Sequence, residues 1–487
     1  MKNVKIQSYK KSDLQKIFTK FLAKKFSKAP DISNTNKKQF IKIQSNNTTN
    51  NIKKWLSLKI PNEYRTLILK SLENKNLDEL FESFNDEIFY GTSSIRSKMT
   101  SSQNSLSISY DLKKLSTTKI KNNIIQGPNT FNPLTLLIFG LGLVNFSKKN
   151  NYKKIIIGYD NRIQSQFFAT LLHDFFQEFK IKSKIFDNVC STPELVFSIK
   201  ELKSDLGIMI TASHNDKRFN GIKVYTKSGS QPTNSEKNKI IKSIGKNSFK
   251  NFELISNFLT KQQNKINNHL QKSNTKISLD IITAKYVNHL TKSINLNSKS
   301  KHNLKNLKIA FSSINGTGYN PAVKLFQKLG IKPIVIHSMV KQDPFFSLFS
   351  NNQILEPSNN TIHKKIISEF VKEYGKKKLN SLDAILFTDP DSDRIGLICN
   401  VPKSQQKYYG KYRFVTGNEI WGLILQFYLQ TFLKDKIKKE KFFIVKSFVT
   451  SDLLNAISKK FKIKCYEGNV GFSSLNELVK SKWKNNF

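Results

Sequence analysis

Arginine is scarce in this chain of 487 residues. Only six arginines, Arg65, Arg96, Arg162, Arg218, Arg394 and Arg413, stand among its 81 basic residues. Acidic residues are few as well, 35 in all, which leaves a formal net charge of +46. Three cysteines, Cys190, Cys399 and Cys465, lie far apart without a C-x-x-C pair. That excludes a disulfide framework and a zinc knuckle, and makes a reducing, cytoplasmic setting the default. Long hydrophobic runs are missing too. The most apolar stretch, Leu134 to Val144, is far short of the roughly 20 residues a membrane span needs. The N-terminus has no signal-peptide core, and residues 1–30 lack the arginine of a transit peptide.

The arginine scarcity decides how the charge is read. A chain selected to grip nucleic acid keeps arginine for phosphates and base edges. Here lysine and asparagine dominate, the mark of AT-rich coding, so no specific nucleic-acid partner is expected. A basic surface still attracts anionic small molecules. Where lysine suffices, lysine has been installed. The surviving arginines therefore mark places that need a planar fork of donors.

The length calls for about three domains. Residues 1–50 read as a lysine-rich extension with one helical piece, Asp13 to Phe26, and a polar linker, SNTNKKQF to QSNNTTNN. Residues 51–235 form a first α/β domain: helices from Ile52 to Glu87, a turn-rich loop from Tyr90 to Arg96, then strands at 153–160, 182–187 and 205–213 alternating with helices. Residues 236–300 read as a helical connector. Residues 301–400 form a second α/β domain with strands at 307–313, 331–337 and 383–389. Residues 401–487 begin a third, with a long apolar helix near Thr416 and a strand at 441–449. The fold class is α/β, in successive three-layer domains with mixed sheets.

Four loops lie where such folds bind ligands, at the carboxyl ends of strands. In the first, Thr211-Ala212-Ser213-His214-Asn215, a serine follows a buried strand. A serine there is most often a helix cap, and no G-x-S-x-G marks it as an acyl-transfer nucleophile. With His214 beside it, and Lys223 able to return through an Asn220-Gly221 turn, it suits phosphoryl transfer. The second loop is Asp389-Pro390-Asp391-Ser392-Asp393-Arg394. Three carboxylates within five residues repel unless a cation neutralises them. An EF-hand calcium loop is excluded, because Arg394 stands where glycine is required and Asn400 where glutamate is required. Magnesium fits, with Arg394 as a phosphate fork. The third loop, Gly91 to Arg96, and the fourth, Asn315-Gly316-Thr317-Gly318, could each cradle a phosphate on backbone N–H groups. Neither is a dinucleotide fingerprint, and no nucleotide cofactor is implied.

Together these loops resemble the α-D-phosphohexomutase superfamily of phosphoglucomutases and phosphomannomutases. The resemblance runs from Ile52 to about Phe472. TASHN…NGIK (211–223) looks like the family's phosphoserine loop, DPDSDR (389–394) like its metal loop and YGTSSIR (90–96) like its N-terminal loop. IIIGYDNR (155–162), STPE (191–194), NGTG (315–318) and TGNE (416–419) also match. The lead-in and the form DPDSDR look closest to the type-II phosphoglucomutase and phosphopentomutase branch. The resemblance implies that Ser213 carries a phosphoryl group and, with Asp389, Asp391 and Asp393, binds Mg2+. Lys223 and Arg96 would handle proton transfer, with Lys223 a general base if its neighbours lower its pKa. His214 would lie against the substrate. Thr211, Arg162, Arg394 and Asn315 to Gly318 would bind substrate or phosphate. The substrate would be a sugar phosphate, with a sugar bisphosphate as intermediate and activator. The sugar itself and the oligomeric state stay open.

The chain departs from the family pattern at Ser94 (usually glycine), Asp216 (proline), Asn315 (histidine) and Ser473 (lysine). Asp216 would bring a carboxylate toward an anionic phosphate, which is unfavourable unless it points away. The family's glutamate-rich sugar loop and its phosphate-clamping fourth domain do not appear before Phe487. The expectation is that the phosphoryl-transfer half of the site is present and that turnover by these residues alone is low.

Overall fold

The computed structural model describes residues 9–27, 34–60, 62–88, 94–99, 127–244, 252–265, 275–294, 303–432 and 442–486. The first unit opens on four helices, α1 (Lys11–Lys25), α2 (Asn34–Ser57), α3 (Asn62–Glu73) and α4 (Leu77–Phe84). From Asn34 on, the residues read as a polar linker are helix. Ile41, Ser45, Thr48, Ile52 and Trp55 recur at helical spacing and are buried. Polar composition concealed this face, because hydroxyl groups on a helix can satisfy themselves. Thr48 donates to the Gln44 carbonyl (2.8 Å) and Ser45 to that of Lys42 (3.1 Å). Leu14, Phe18 and Leu22 of α1 join the same core. Residues 1–50 are therefore no loose extension where they are described.

A six-stranded mixed sheet follows: β1 (Ser94–Lys98), β2 (Lys154–Tyr159), β3 (Lys182–Phe186), β4 (Leu206–Ile210), β5 (Phe219–Thr226) and β6 (Lys276–Ile277), in the order β1-β5-β4-β2-β3-β6. β1, β5 and β4 are antiparallel neighbours, and the remaining pairs are parallel. Alternation along the strands builds two cores. Ile155 and Ile157 face one, under α5 (Pro133–Lys149) and α6 (Ser165–Glu178). Ile156 and Met209 face the other, with Leu195 of α7 (Thr192–Glu201) and Ile282 of α10 (Leu279–Ile294). Capping boxes with a proline in the first turn start α5, through Asn132 and Thr135, and α7, through Ser191 and Glu194. The segment expected to be a connector belongs to this unit. α8 (Asn234–Ile244) and α9 (Phe252–Lys265) bury Ile240, Phe252 and Phe258 in the first core, and β6 extends the sheet edge.

The second unit has the strands β7 (Ile309–Ser312), β8 (Ile334–Val335), β9 (Ala384–Thr388), β10 (Ile395–Asn400) and β11 (Tyr412–Val415), in the order β11-β10-β9-β7-β8, with α11 (Tyr319–Lys328) and α12 (Asn360–Asn380). β8 is far shorter than the expected 331–337, since Pro333 has no N–H to give the ladder. Last come α13 (Gly417–Phe432), β12 (Phe443–Ser447), α14 (Leu453–Lys460), β13 (Lys464–Gly468) and α15 (Phe472–Asn486), whose two strands pair in parallel. Trp421, Leu423, Ile424, Phe448 and Val449 are exposed there. No helix among the described residues is long and apolar enough to cross a membrane.

One buried histidine makes the first unit acid-sensitive. His173 lies in α6 with its Nδ1 2.8 Å from the Ser183 hydroxyl, and burial pulls its pKa down to about 4. The folded value lies below the unfolded one, about 6.5. Its contribution is thus complete above pH 6.5 and fades as the pH falls toward 4. Urea unfolding at pH 7.5 and pH 4.5 should show wild type losing on the order of 2–3 kcal/mol more than His173→Gln between the two conditions.

Candidate active site

β4 delivers the chain into the loop 211–218, and Arg162 holds that loop in shape. Its side chain is fully buried against Asp160, with Nε 3.3 Å from Oδ2. Nη2 donates to the carbonyls of Ser213 (2.5 Å) and Asn215 (2.6 Å), and Nη1 to those of Asp216 (2.8 Å) and Phe219 (3.1 Å). The Phe346 ring closes over the guanidinium at 5.3 Å. Arg162, expected to bind substrate, is consumed by the loop instead. A lysine could not span four carbonyls, which explains an arginine here. Ser213 takes the left-handed conformation (φ 53°), and its N–H donates to the Thr211 hydroxyl at 2.8 Å. Thr211 is thus a fully buried strut, not a substrate ligand. The chain reverses within this loop. Asn220 and Gly221, expected to form the turn, lie inside β5, which brings Lys223 back opposite Met209.

The loop after β9 meets Ser213 from the second unit. The Ser213 hydroxyl donates to Asp389 Oδ2 at 3.0 Å. Lys223 Nζ lies 2.6 Å from both Asp391 Oδ2 and Asp393 Oδ2. The Thr192 hydroxyl donates to Asp391 Oδ2 at 2.7 Å. Underneath, Asn315 to Gly318 support the acidic loop rather than a phosphate. The Thr317 N–H donates to the Pro390 carbonyl at 2.8 Å, and the Asn315 amide donates to the Ser338 and Lys341 carbonyls. A Cβ on Gly316 would stand 2.3 Å from the Pro390 oxygen, and one on Gly318 2.5 Å from the Ser392 hydroxyl. Asn161 donates to the Asn315 carbonyl and ties the two units together (2.7 Å).

The electrostatics follow from three carboxylates meeting one ammonium. Burial alone would push Lys223 toward neutrality, but Asp391 and Asp393 outweigh it and hold its pKa above the usual lysine range. Burial would likewise raise Asp391, and Lys223 overrides it and holds that carboxyl well below its usual range. Asp389 and Asp393 are pushed up, first by burial and then by the Asp391 charge. The base role expected of Lys223 required neighbours that lower its pKa, and these raise it. Carboxylate oxygens of Asp389, Asp391 and Asp393 lie within 4.8 Å of one another. The buried Asp391 Oδ1 has no hydrogen-bond partner among the described residues. An all-oxygen, under-neutralised set with an unused buried oxygen fits a hard divalent cation such as Mg2+.

Around this centre stand the remaining expected residues. Arg96 lies on β1, not in a loop, and donates to the Asn215 side chain (3.0 Å) and to the Ser94 hydroxyl (2.8 Å). Gly91 to Ser93 lie outside the described residues. His214 Nδ1 is 3.4 Å from the Ser213 hydroxyl. Burial, then Arg394 and Arg96, pull its pKa down to about 3. It is neutral at pH 7, so its 3.7 Å approach to Glu356 is no ion pair. Burial and then Arg96 bring the Arg394 pKa down to about 10, and one arm of this guanidinium bonds Glu356. Asp216 is tied to Arg218 by two side-chain bonds, 2.9 and 3.0 Å, which answers the concern raised by a carboxylate in this loop. Thr192, Asp160, Phe346 and Glu356 are the site residues that sequence reasoning missed. Thr192 was visible only as part of STPE, and nothing in the sequence marked Glu356.

Family models described as phosphoglucomutase/phosphomannomutase, alpha/beta/alpha domains I and II, match residues 112–251 and 284–401. The phosphoglucomutase of Staphylococcus saprophyticus is 27% identical over 379 residues, covering 76% of this chain and 61% of that protein. The chain thus spans about three fifths of the length of that curated relative. A solved structure from Thermus thermophilus, described as a phosphomannomutase, superposes with a TM-score of 0.57 at 17% identity, over 82% of this chain and 72% of that one. The open form of parafusin, a Paramecium phosphoglucomutase, gives 0.53 at 17%, over 82% and 65%. At these identities the structural likeness concerns the fold.

Two substitutions test the scaffold. Arg162→Lys keeps the charge but loses the fork, and should destabilise the first unit by about 3 kcal/mol, read as an earlier urea midpoint. Gly316→Ala should displace Pro390 and weaken magnesium binding by roughly tenfold or more in titration calorimetry.

Proposed function

The chain belongs to the phosphoglucomutase/phosphomannomutase family of α-D-phosphohexomutases, and on that premise we propose that it serves phosphosugar mutation through phospho-Ser213. The observation that supports this most directly is the 3.0 Å bond from the Ser213 hydroxyl to Asp389, which joins a serine of one unit to the acidic loop of the next. In the first half-reaction a hydroxyl of the sugar monophosphate attacks the phosphorus on Ser213. The bond from phosphorus to Ser213 Oγ breaks, a bond to the sugar oxygen forms, and the hydroxyl proton ends on Ser213 Oγ. The bisphosphate turns over in the site, and Ser213 Oγ takes up the other phosphoryl group as its bond to the sugar oxygen breaks and the serine proton passes to that oxygen, which leaves the isomeric monophosphate.

The residues of the chain divide this work. Arg162 and Thr211 hold the Ser213 backbone in its left-handed conformation, so the serine needs little reorganisation. The Lys223 ammonium, Arg96 and Arg394 offset the charge of the phosphoryl oxygens. Neutral His214, with Nδ1 3.4 Å from Ser213 Oγ, packs beside the hydroxyl that donates to Asp389. Asp389, Asp391 and Asp393 would hold magnesium, which when bound supplies neutralisation of the transferring oxygens. The substrates are hexose phosphates exchanging C1 and C6, or pentose phosphates exchanging C1 and C5.

A coupled assay with glucose 1-phosphate, Mg2+ and glucose 1,6-bisphosphate tests the assignment. Ser213→Ala should lower turnover by about a thousandfold or more, and should take up no label from phosphoryl-labelled bisphosphate. Equal activity in the two proteins would sink it. Chelation by EDTA should abolish wild-type activity, and magnesium should restore it.

A further inference from the structure

Glu356 stands among the groups meant for phosphate, yet carries the same sign of charge. It lies on the segment between β8 and α12, and its backbone is pinned on both sides. The Leu355 N–H donates to the His214 carbonyl at 2.7 Å, and the Pro357 carbonyl lies 2.5 Å from His363 Nε2. The Glu356 carbonyl also accepts from the Asn359 N–H at 2.9 Å. The side chain is thus aimed by a fixed backbone rather than drifting at the surface. Its carboxylate bonds Nη1 of Arg394 and stands 3.7 Å from His214 Nδ1. Arg394 is partly exposed, and its other ion pair among the described residues is with Asp393, Nε to Oδ1 at 3.8 Å. Glu356 occupies one arm of its fork.

We propose that Glu356 is an internal competitor for the substrate's phosphate, holding Arg394 in place when no phosphate is bound and yielding it when a sugar phosphate arrives. The idea rests on the phosphosugar reading of the site. A guanidinium presents one forked face to one anion at a time. A phosphate monoester carries nearly two charges at neutral pH and a carboxylate one, so the phosphate displaces the carboxylate at the cost of the contact it breaks. That cost lowers affinity, and it helps a tightly held bisphosphate reorient and a product leave.

The test is calorimetric titration of the full chain with glucose 6-phosphate, using a double-mutant cycle. Glu356→Gln should tighten binding about tenfold, which reflects loss of one charge-assisted contact. Arg394→Met should weaken binding, and adding Glu356→Gln to Arg394→Met should restore nothing, because the competitor acts through Arg394. A merely structural role for Glu356 would weaken binding when the residue is changed. If wild type binds and Glu356→Gln binds no tighter, or gains equally without Arg394, the competitor role falls while the phosphosugar reading stands. If neither wild type nor Glu356→Gln binds glucose 6-phosphate, the phosphosugar reading falls and the proposal falls with it.

Discussion

Three clustered carboxylates, two of them buried, and one buried ammonium bind the two larger units into a single centre. Asp389, Asp391 and Asp393 come from the loop after β9, and Lys223 from β5 of the other sheet. Carboxylates this close repel strongly in a poorly solvated place, and one lysine cannot neutralise all three. The cluster is stable only with its cation partner in reach, so the position of β5 relative to β9 is set by charge. Ser213 inherits its place from the same cluster through Asp389.

Around this centre the chain has spent its few arginines on geometry. Arg162 gathers four carbonyls and makes a strained loop reproducible. Arg218 ties down Asp216, which would otherwise stand as a loose carboxylate in the serine loop. Arg394 faces the open site and is held by Glu356. Arg96 and Arg394 are each positioned by a neighbour, Asn215 and Glu356. Such preorganisation reduces what substrate binding must supply.

Much of the fold was legible in sequence because buried strands flanked by amphipathic helices leave a strong period. The strands at 154–159, 206–210 and 384–388 fall within the expected segments. Two segments misled. α2 buries serine and threonine, whose hydroxyls bond their own helix, so its inner face looks polar in sequence. Residues 236–300 looked like a connector because their apolar residues are sparse, yet Phe252, Ile255 and Phe258 are spaced to reach one core. The chemistry-bearing loops were legible for another reason. Close carboxylates, small loop residues and a rare arginine are costly patterns that a neutral surface does not need.

By itself the sequence determined which groups can do chemistry here: a serine after a strand, three alternating aspartates, and arginines kept where lysine is otherwise universal. It could not say where each group's hydrogen bonds go. Arg162, Thr211 and Asn315 to Gly318 carry the right atoms for a phosphate, but their neighbours in space use those atoms first. Lys223 looked like a base until two aspartates more than a hundred and sixty residues away in the chain made it a firmly held ammonium. Glu356 had no signal at all until the fold set it against Arg394. Donor and acceptor capacity is a property of residue type, whereas occupancy, burial and the sign of a pKa shift depend on long-range neighbours. Only the tertiary structure decides those.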